Sequence, residues 1–275
     1  MKISLLTCIA IGLFGLVLYF KNSNPHYDPN KAHHTSTGFK NPYLEHDNQS
    51  KSFSDLFKMM ATERPNPKPQ IAENLSIDSM IQKINSNNNF ITWVGHSTML
   101  LHINSKTILT DPIFSDRCSP VQFLGPKRYS FPTIDIELLP KIDLIVISHN
   151  HYDHLDKNSV EILGKDSLTV WYVPLGLKKW FNKLNIKNVI ELDWFEKRKQ
   201  DNIEIICLPS QHWSKRSLFK SFDTLWSSWS LKVGNFKFWF AGDTGYNRIQ
   251  FKKIGDEYGP FDLSAIPIGA YEPRW

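Results

Sequence analysis

The sequence predicts an α+β fold of mixed sheets covered by helices, on three observations. From Phe90 onward, apolar runs of strand length alternate with turn residues. Only a few stretches between those runs carry helical character, so strands dominate and helices cover them. The chain has 275 residues, 41% hydrophobic and 21% charged, which is enough to bury a substantial core and excludes a disordered, collagen-like or coiled-coil chain.

The elements follow in order. Residues 3–20 form an uncharged apolar run between Lys2 and Lys21. At about 1.5 Å per residue it is just long enough to cross a bilayer core. Its end, Val-Leu-Tyr-Phe-Lys21, is a poor cleavage site. An uncleaved membrane anchor over residues 1–21 is therefore expected, with a cleaved signal and a secreted or periplasmic protein as the competing reading. Residues 22–89 are polar and irregular, and Arg64-Pro-Asn-Pro-Lys-Pro69 cannot be helix interior or central strand. They read as an extended Pro-rich arm with one short helix at 53–62. A globular domain is expected over 90–275, with strands at 90–94, 98–103, 107–110, 144–147, 168–173, 203–207, 228–233, 236–240 and 263–266, and helices at 158–163 and 175–184.

The net charge of +5 is mild and the basic stretches are short, so no nucleic-acid partner is expected. Cys8, Cys118 and Cys207 form neither a disulfide framework nor a thiolate zinc motif.

The strongest chemical signal is Ser148-His-Asn-His-Tyr-Asp-His-Leu-Asp156, delivered by the buried run 142–147. His149 and His151 project to the same side of an extended segment, and a turn into helix redirects Asp153 and His154 to a neighbouring point. One segment can thus serve two metals, and imidazole with carboxylate suits zinc or iron rather than calcium or magnesium. His212 follows the strand at 203–207, and Asp243 sits between two glycines after the strand at 236–240. Alone, His212 is as readily an ordinary polar residue and Asp243 a turn residue. Together the three segments point to a two-metal site.

These residues, with Val94-Gly-His-Ser-Thr98, Ile108-Leu-Thr-Asp-Pro112, Gly125-Pro-Lys-Arg128, Val173-Pro-Leu-Gly176, Glu191-Leu-Asp-Trp194, Ala241-Gly-Asp-Thr-Gly-Tyr246 and Ile268-Gly-Ala-Tyr-Glu-Pro-Arg-Trp275, resemble the metallo-β-lactamase superfamily. Within it they resemble the N-acylphosphatidylethanolamine-hydrolysing phospholipase D branch and its bacterial relatives. The resemblance implies an αββα sandwich and two Zn2+ ions, iron being the alternative. It implies that His149, His151 and His212 hold one metal, that Asp153 and His154 hold the second, and that Asp243 bridges them. Asp153 and His154 would be catalytic, Asp153 orienting the attacking water and taking its proton. Asp111 is either an acceptor for a ligating imidazole's N–H or a buried structural residue. His96 reads as a strand-end packing histidine and stays outside the metal set. The family carries a further histidine beyond the Tyr-Glu-Pro-Arg-Trp motif, whereas His212 is the last histidine here, so a C-terminally incomplete domain with a weaker second site is expected.

The implied activity is metal-dependent phosphodiester hydrolysis, of phospholipase D type, on N-acylphosphatidylethanolamine-like phospholipids. The partner would be a phospholipid or membrane surface. The aromatic segment 218–229 fits a lipid as well, although core packing accounts better for Trp226 and Trp229. The alternatives are a lactonase or phosphodiesterase acting on a soluble substrate, or a catalytically impaired metal-binding membrane protein.

Overall fold

The computed structural model describes residues 23–44, 77–217 and 220–269. The apolar run 3–20, the expected helix at 53–62, residues 218–219 and the final motif from residue 270 lie outside the described residues.

Two short strands, β1 (His34–Thr35) and β2 (Gly38–Phe39), make a ribbon in the arm. Helix α1 (Ile77–Asn85) then leads into the first sheet. That sheet runs through β3 (Phe90–Gly95), β4 (Thr98–Ile103), β5 (Lys106–Thr110), β6 (Leu144–Val146), helix α2 (Lys157–Leu163), β7 (Val170–Pro174), helix α3 (Lys178–Lys183) and β8 (Val189–Leu192). Its six strands lie in sequence order, antiparallel through β3, β4 and β5 and parallel from β5 to β8. The second sheet takes β9 (Lys197–Gln200), β10 (Ile203–Leu208), β11 (Ser228–Val233), β12 (Phe236–Phe240), helix α4 (Arg248–Tyr258) and β13 (Leu263–Ala265), in the order β13-β12-β11-β10-β9.

Side-chain alternation stacks these elements into four layers. Leu101, Ile108, Leu144, Val146 and Tyr172 face the second sheet and meet Ile203, Ile205, Leu231, Phe238 and Phe240 in one core. The set that pairs in register across the same sheet, Leu100, Leu109, Ile145 and Trp171, points the other way, to Met80 of α1, Val160 of α2 and Phe181 of α3. On the far side Ile206, Leu208 and Trp239 pack on Ile254 of α4. The order is helix, sheet, sheet, helix. Because the central strands are buried on both faces, they read as unbroken apolar runs, which is why they were legible.

Three features differ from expectation. Among the described residues no helix is long and apolar enough to cross a membrane; the longest, α4, spans about 16 Å against a bilayer core of about 30 Å. The expected membrane-anchored localisation and transmembrane helix are corrected accordingly: no described helix supplies such a span, and the run 3–20 that carried the expectation lies outside the described residues. Leu225, part of the segment read as lipid-facing, is fully buried in the core between the sheets, beside Trp226 and Trp229, whose core packing was the favoured reading. The first part of the arm is also packed in: Phe39 is 2% exposed and lies in that same core.

Candidate metal centre

The site forms at one end of the sandwich, where β6, β10 and β12 each release a loop. The loop after β6 carries His149 to His154 and closes into α2, whose N-cap Asp156 accepts from Asn158 N and Ser159 Oγ and from Ser115 N and Oγ. That capped start fixes where the histidine-rich segment ends. The loop after β10 brings His212, and the turn after β12 brings Asp243. These two loops are tied together: Gly245 N donates to Gln211 O at 2.8 Å, and Gln211 N donates to Thr244 Oγ1 at 2.9 Å.

All six residues singled out from the sequence converge. His149 Nε2, His151 Nδ1 and His212 Nε2 lie 2.8 to 3.2 Å from one another. His154 Nε2 faces Asp243 Oδ2 at 3.3 Å and Asp153 Oδ2 at 3.7 Å, while Asp243 Oδ2 is also 3.8 Å from His212 Nε2. Asp243 thus stands between the two groups.

The donor set fits divalent metals. Three imidazole nitrogens meet at one point, and since each ring nitrogen of a neutral imidazole either donates or accepts but never both, the three mutual contacts cannot all be hydrogen bonds. A cation accepting all three lone pairs resolves this. His154 Nε2 is buried with no hydrogen-bond partner, while its Nδ1 lies 2.7 Å from Asp111 Oδ2. Asp111 is fully buried and also accepts from Ser148 N at 2.7 Å and Ser148 Oγ at 2.5 Å. It therefore fixes the His154 tautomer that leaves Nε2 as a free acceptor toward the centre. Both readings of Asp111, positioning an imidazole and holding a strand end, hold at once.

Electrostatics agree. Burial, with the neighbouring imidazoles adding to it, pushes His149 well down; burial brings His151 to about 4 and His212 to about 3, so each offers a neutral ring. Burial raises the Asp243 carboxyl, but His154 outweighs it and brings it down to about 2. Burial likewise opposes ionisation of Asp153, yet His154 and His96 hold it well below the carboxylate range. His154, despite burial, is raised by Asp243, Asp153 and Asp111. Three carboxylates around one imidazole make an excess of negative charge that a divalent cation neutralises.

Two residues escaped sequence reasoning. His96 sits at the β3–β4 turn in left-handed backbone, φ 50°, with Nε2 3.3 Å from Asp153 Oδ2. Its side chain is half exposed and its ring edges His154, so the packing role expected for it is incorrect. The available signal was Gly95 before it, which marks a turn, but turn geometry alone does not say where an imidazole points. Arg216 stacks on Tyr152 and Trp180 and donates to Asn150 O at 3.0 Å, bracing the loop after β6. No motif announced it.

Comparison with known proteins extends the picture. A β-lactamase superfamily domain model matches residues 106–275. The chain is 46% identical over 196 residues to the N-acyl-phosphatidylethanolamine-hydrolyzing phospholipase D 1 of Caenorhabditis elegans, covering 68% of this chain and 55% of that protein. It is 41% identical over 191 residues to the mitochondrial enzyme of that description from Saccharomyces cerevisiae, covering 67% of this chain and 40% of that one. The chain spans about half the length of the curated relatives it matches. Among solved structures, Igni18, a metallo hydrolase from Ignicoccus hospitalis, aligns with a TM-score of 0.48 and 21% identity over 66% of this chain and 71% of that one.

Proposed function

The chain belongs to the metallo-β-lactamase superfamily and is a metal-dependent hydrolase, and from that premise we propose that it cleaves a phosphodiester of a phospholipid, in the manner of a phospholipase D acting on N-acylphosphatidylethanolamine-like lipids. The observation that carries the reading is the pair of ligand groups joined through Asp243. Two adjacent cation positions suit an in-line displacement at phosphorus, where attacking and leaving oxygens both need charge support. His149, His151, His212 and Asp243 would hold one metal, and Asp153, His154 and Asp243 the other, with His96 beside Asp153. Bound there, zinc or iron would supply Lewis-acid activation of water near neutral pH and charge for the phosphoryl oxygens.

The chain's own residues do the rest. Asp153 orients the attacking water by accepting its hydrogen bond. Because its carboxyl is held well below the ordinary range, it stays an anion and is a weak acceptor of the proton itself. Asp111 keeps His154 aligned through Nδ1. The lipid reading draws support from the names of the two relatives and from the loop after β5. There Phe123, Leu124, Tyr129 and Phe131 are exposed apolar side chains. The loop is braced by Arg128, which donates to Ser115 O and Ile113 O and passes beside Gly95, next to His96.

The test compares three substrates with the zinc-loaded chain: N-acylphosphatidylethanolamine in mixed micelles, a soluble aryl phosphodiester and a lactone. Release of phosphatidic acid from the first, at a kcat/KM at least tenfold above the others, is expected. Preference for the lactone or the soluble ester overturns the lipid reading.

A further inference from the structure

His212 is the one ligand of the nitrogen triad that the loop after β6 does not carry, so something else must hold it in place. The structure shows what does. Asn41 Nδ2 donates to the His212 carbonyl at 2.7 Å, and Asn41 Oδ1 accepts from Trp226 Nε1 at 3.2 Å. Trp226 Nε1 is shared with Ser210 O at 2.9 Å, two residues before His212. A single amide, 8% exposed, thus bridges the ligand's own backbone and the core tryptophan beneath it.

The segment that carries Asn41 is itself pinned at several points. Phe39 N donates to Phe222 O at 2.9 Å, and a Cβ added at Gly38 would stand 2.1 Å from that same carbonyl, so only glycine lets the ribbon approach. Asn24 Nδ2 donates to Gly38 O at 2.8 Å. At the far end the buried Asp193 gathers Lys31 Nζ at 2.5 Å, His33 Nε2 at 2.7 Å and His34 Nε2 at 3.0 Å, and the His33 ring stacks on Trp194. Trp194 Nε1 in turn donates to Trp226 O at 2.7 Å. A continuous chain of bonds therefore runs from Lys31 and Asp193 through Trp226 and Asn41 to His212.

We propose that residues 24–41 form a strap that positions the metal centre, with Asn41 the positioning residue for His212. This inference rests on the reading of the triad as a metal site. The strap touches no substrate; it sets the angle at which the third imidazole meets the other two. Removing an interaction that orients a ligand typically lowers metal affinity 10- to 100-fold.

The experiment uses the full chain, loaded with Co2+, and reads affinity by chelator competition and ligand geometry by the visible d–d bands. Asn41→Asp keeps the acceptor for Trp226 but cannot donate to the His212 carbonyl; Asn41→Ala loses both. Both are expected to weaken Co2+ at least tenfold and to shift the bands, with Asp no better than Ala. Asp193→Asn, remote from His212, releases the Lys31 and histidine end and is expected to weaken Co2+ in the same direction. It supplies the same readout where an Asn41 variant folds poorly. His149→Ala serves as the control for the triad. If the native chain takes up Co2+ in a His149-dependent way and all three variants keep its affinity and spectrum, the strap proposal is overturned alone. If the native chain takes up no Co2+, or His149→Ala leaves uptake unchanged, the metal-site reading falls and the strap falls with it.

Discussion

At the scale of single residues, the nitrogen triad makes the plainest prediction. His149→Ala and His151→Ala each remove a nitrogen from a point where three converge within 3.2 Å. Each should lower bound metal by about one ion per chain, read by elemental analysis, and reduce turnover by at least 10²-fold; either variant with full metal content would refute the assignment. His96→Gly should act in two opposite directions. Glycine relieves a left-handed backbone at φ 50°, a gain of about 1 kcal/mol in denaturant unfolding of the chelated protein. It also removes the imidazole beside Asp153, and retention of the second metal should fall in the same preparation. Four of the six clustered residues were legible because H-x-H-x-D-H packs them into one short stretch after a strand, and His212 and Asp243 because each follows a strand of its own. His96 was not, since what aims it is a turn conformation, and a sequence does not display φ.

At the scale of elements, the loops at the strand ends are held by close backbone approach. Gly242, at φ 58°, turns the chain out of β12, and a Cβ there would lie 2.6 Å from Ser148 Cβ and 3.2 Å from Ser227 O. Gly242→Ala should cost about 2 kcal/mol or more, seen as a lower unfolding midpoint. Metal uptake should drop with it, because Ser148 is the residue that holds Asp111 against His154. Wild-type metal affinity in a folded Gly242→Ala protein would show that the two strand ends are not coupled. Element legibility followed burial. Strand β6 is wholly apolar and β4, β5 and β10 are mostly buried around apolar cores, and all four were found within a residue or two. Strand β9, Lys-Arg-Lys-Gln200, is a charged and largely exposed sheet edge with no apolar period to read. Helix α4 is polar on most of its surface and buries only Gln250 and Ile254, so its pattern fell below notice.

At the scale of the whole molecule, metal and proton act on one folding equilibrium. Chelation should lower Tm by on the order of 10 °C, since a cation bound only by the folded state stabilises it by mass action. In the chelated protein, His149, His151 at about 4 and His212 at about 3 are kept neutral by burial, whereas the unfolded chain titrates near 6.5. Between about pH 6.5 and pH 4 the unfolded state binds more protons, so these groups withdraw stability as pH falls through that window. His154 works in reverse: its raised value gives stability that is complete below about 6.5 and fades as pH climbs through its folded value. Three groups oppose one, and urea midpoints of the chelated protein at pH 7.0, 5.5 and 4.5 should decline in that order; a rise on acidification would contradict the assignment. The four-layer architecture was only half written in the sequence. Strand count and two-sided burial were visible, but the pairing of segment 24–41 with the far sheet was not, because nothing in a polar, Pro-punctuated stretch tells which distant carboxylate and carbonyl it will meet.

The knot around Asp193 also imposes an order in time. Lys31 and its carboxylate partner are 162 residues apart, and Asn41 and His212 are 171. A ribosome delivers the strap well before these partners, since Asp193 and His212 are made more than a hundred and fifty residues later. Contacts of such long sequence separation carry the largest loop-closure cost and form late. A segment made early is thus among the last to settle, and the nascent chain carries His149 and His151 for a further sixty residues of synthesis before their third partner exists.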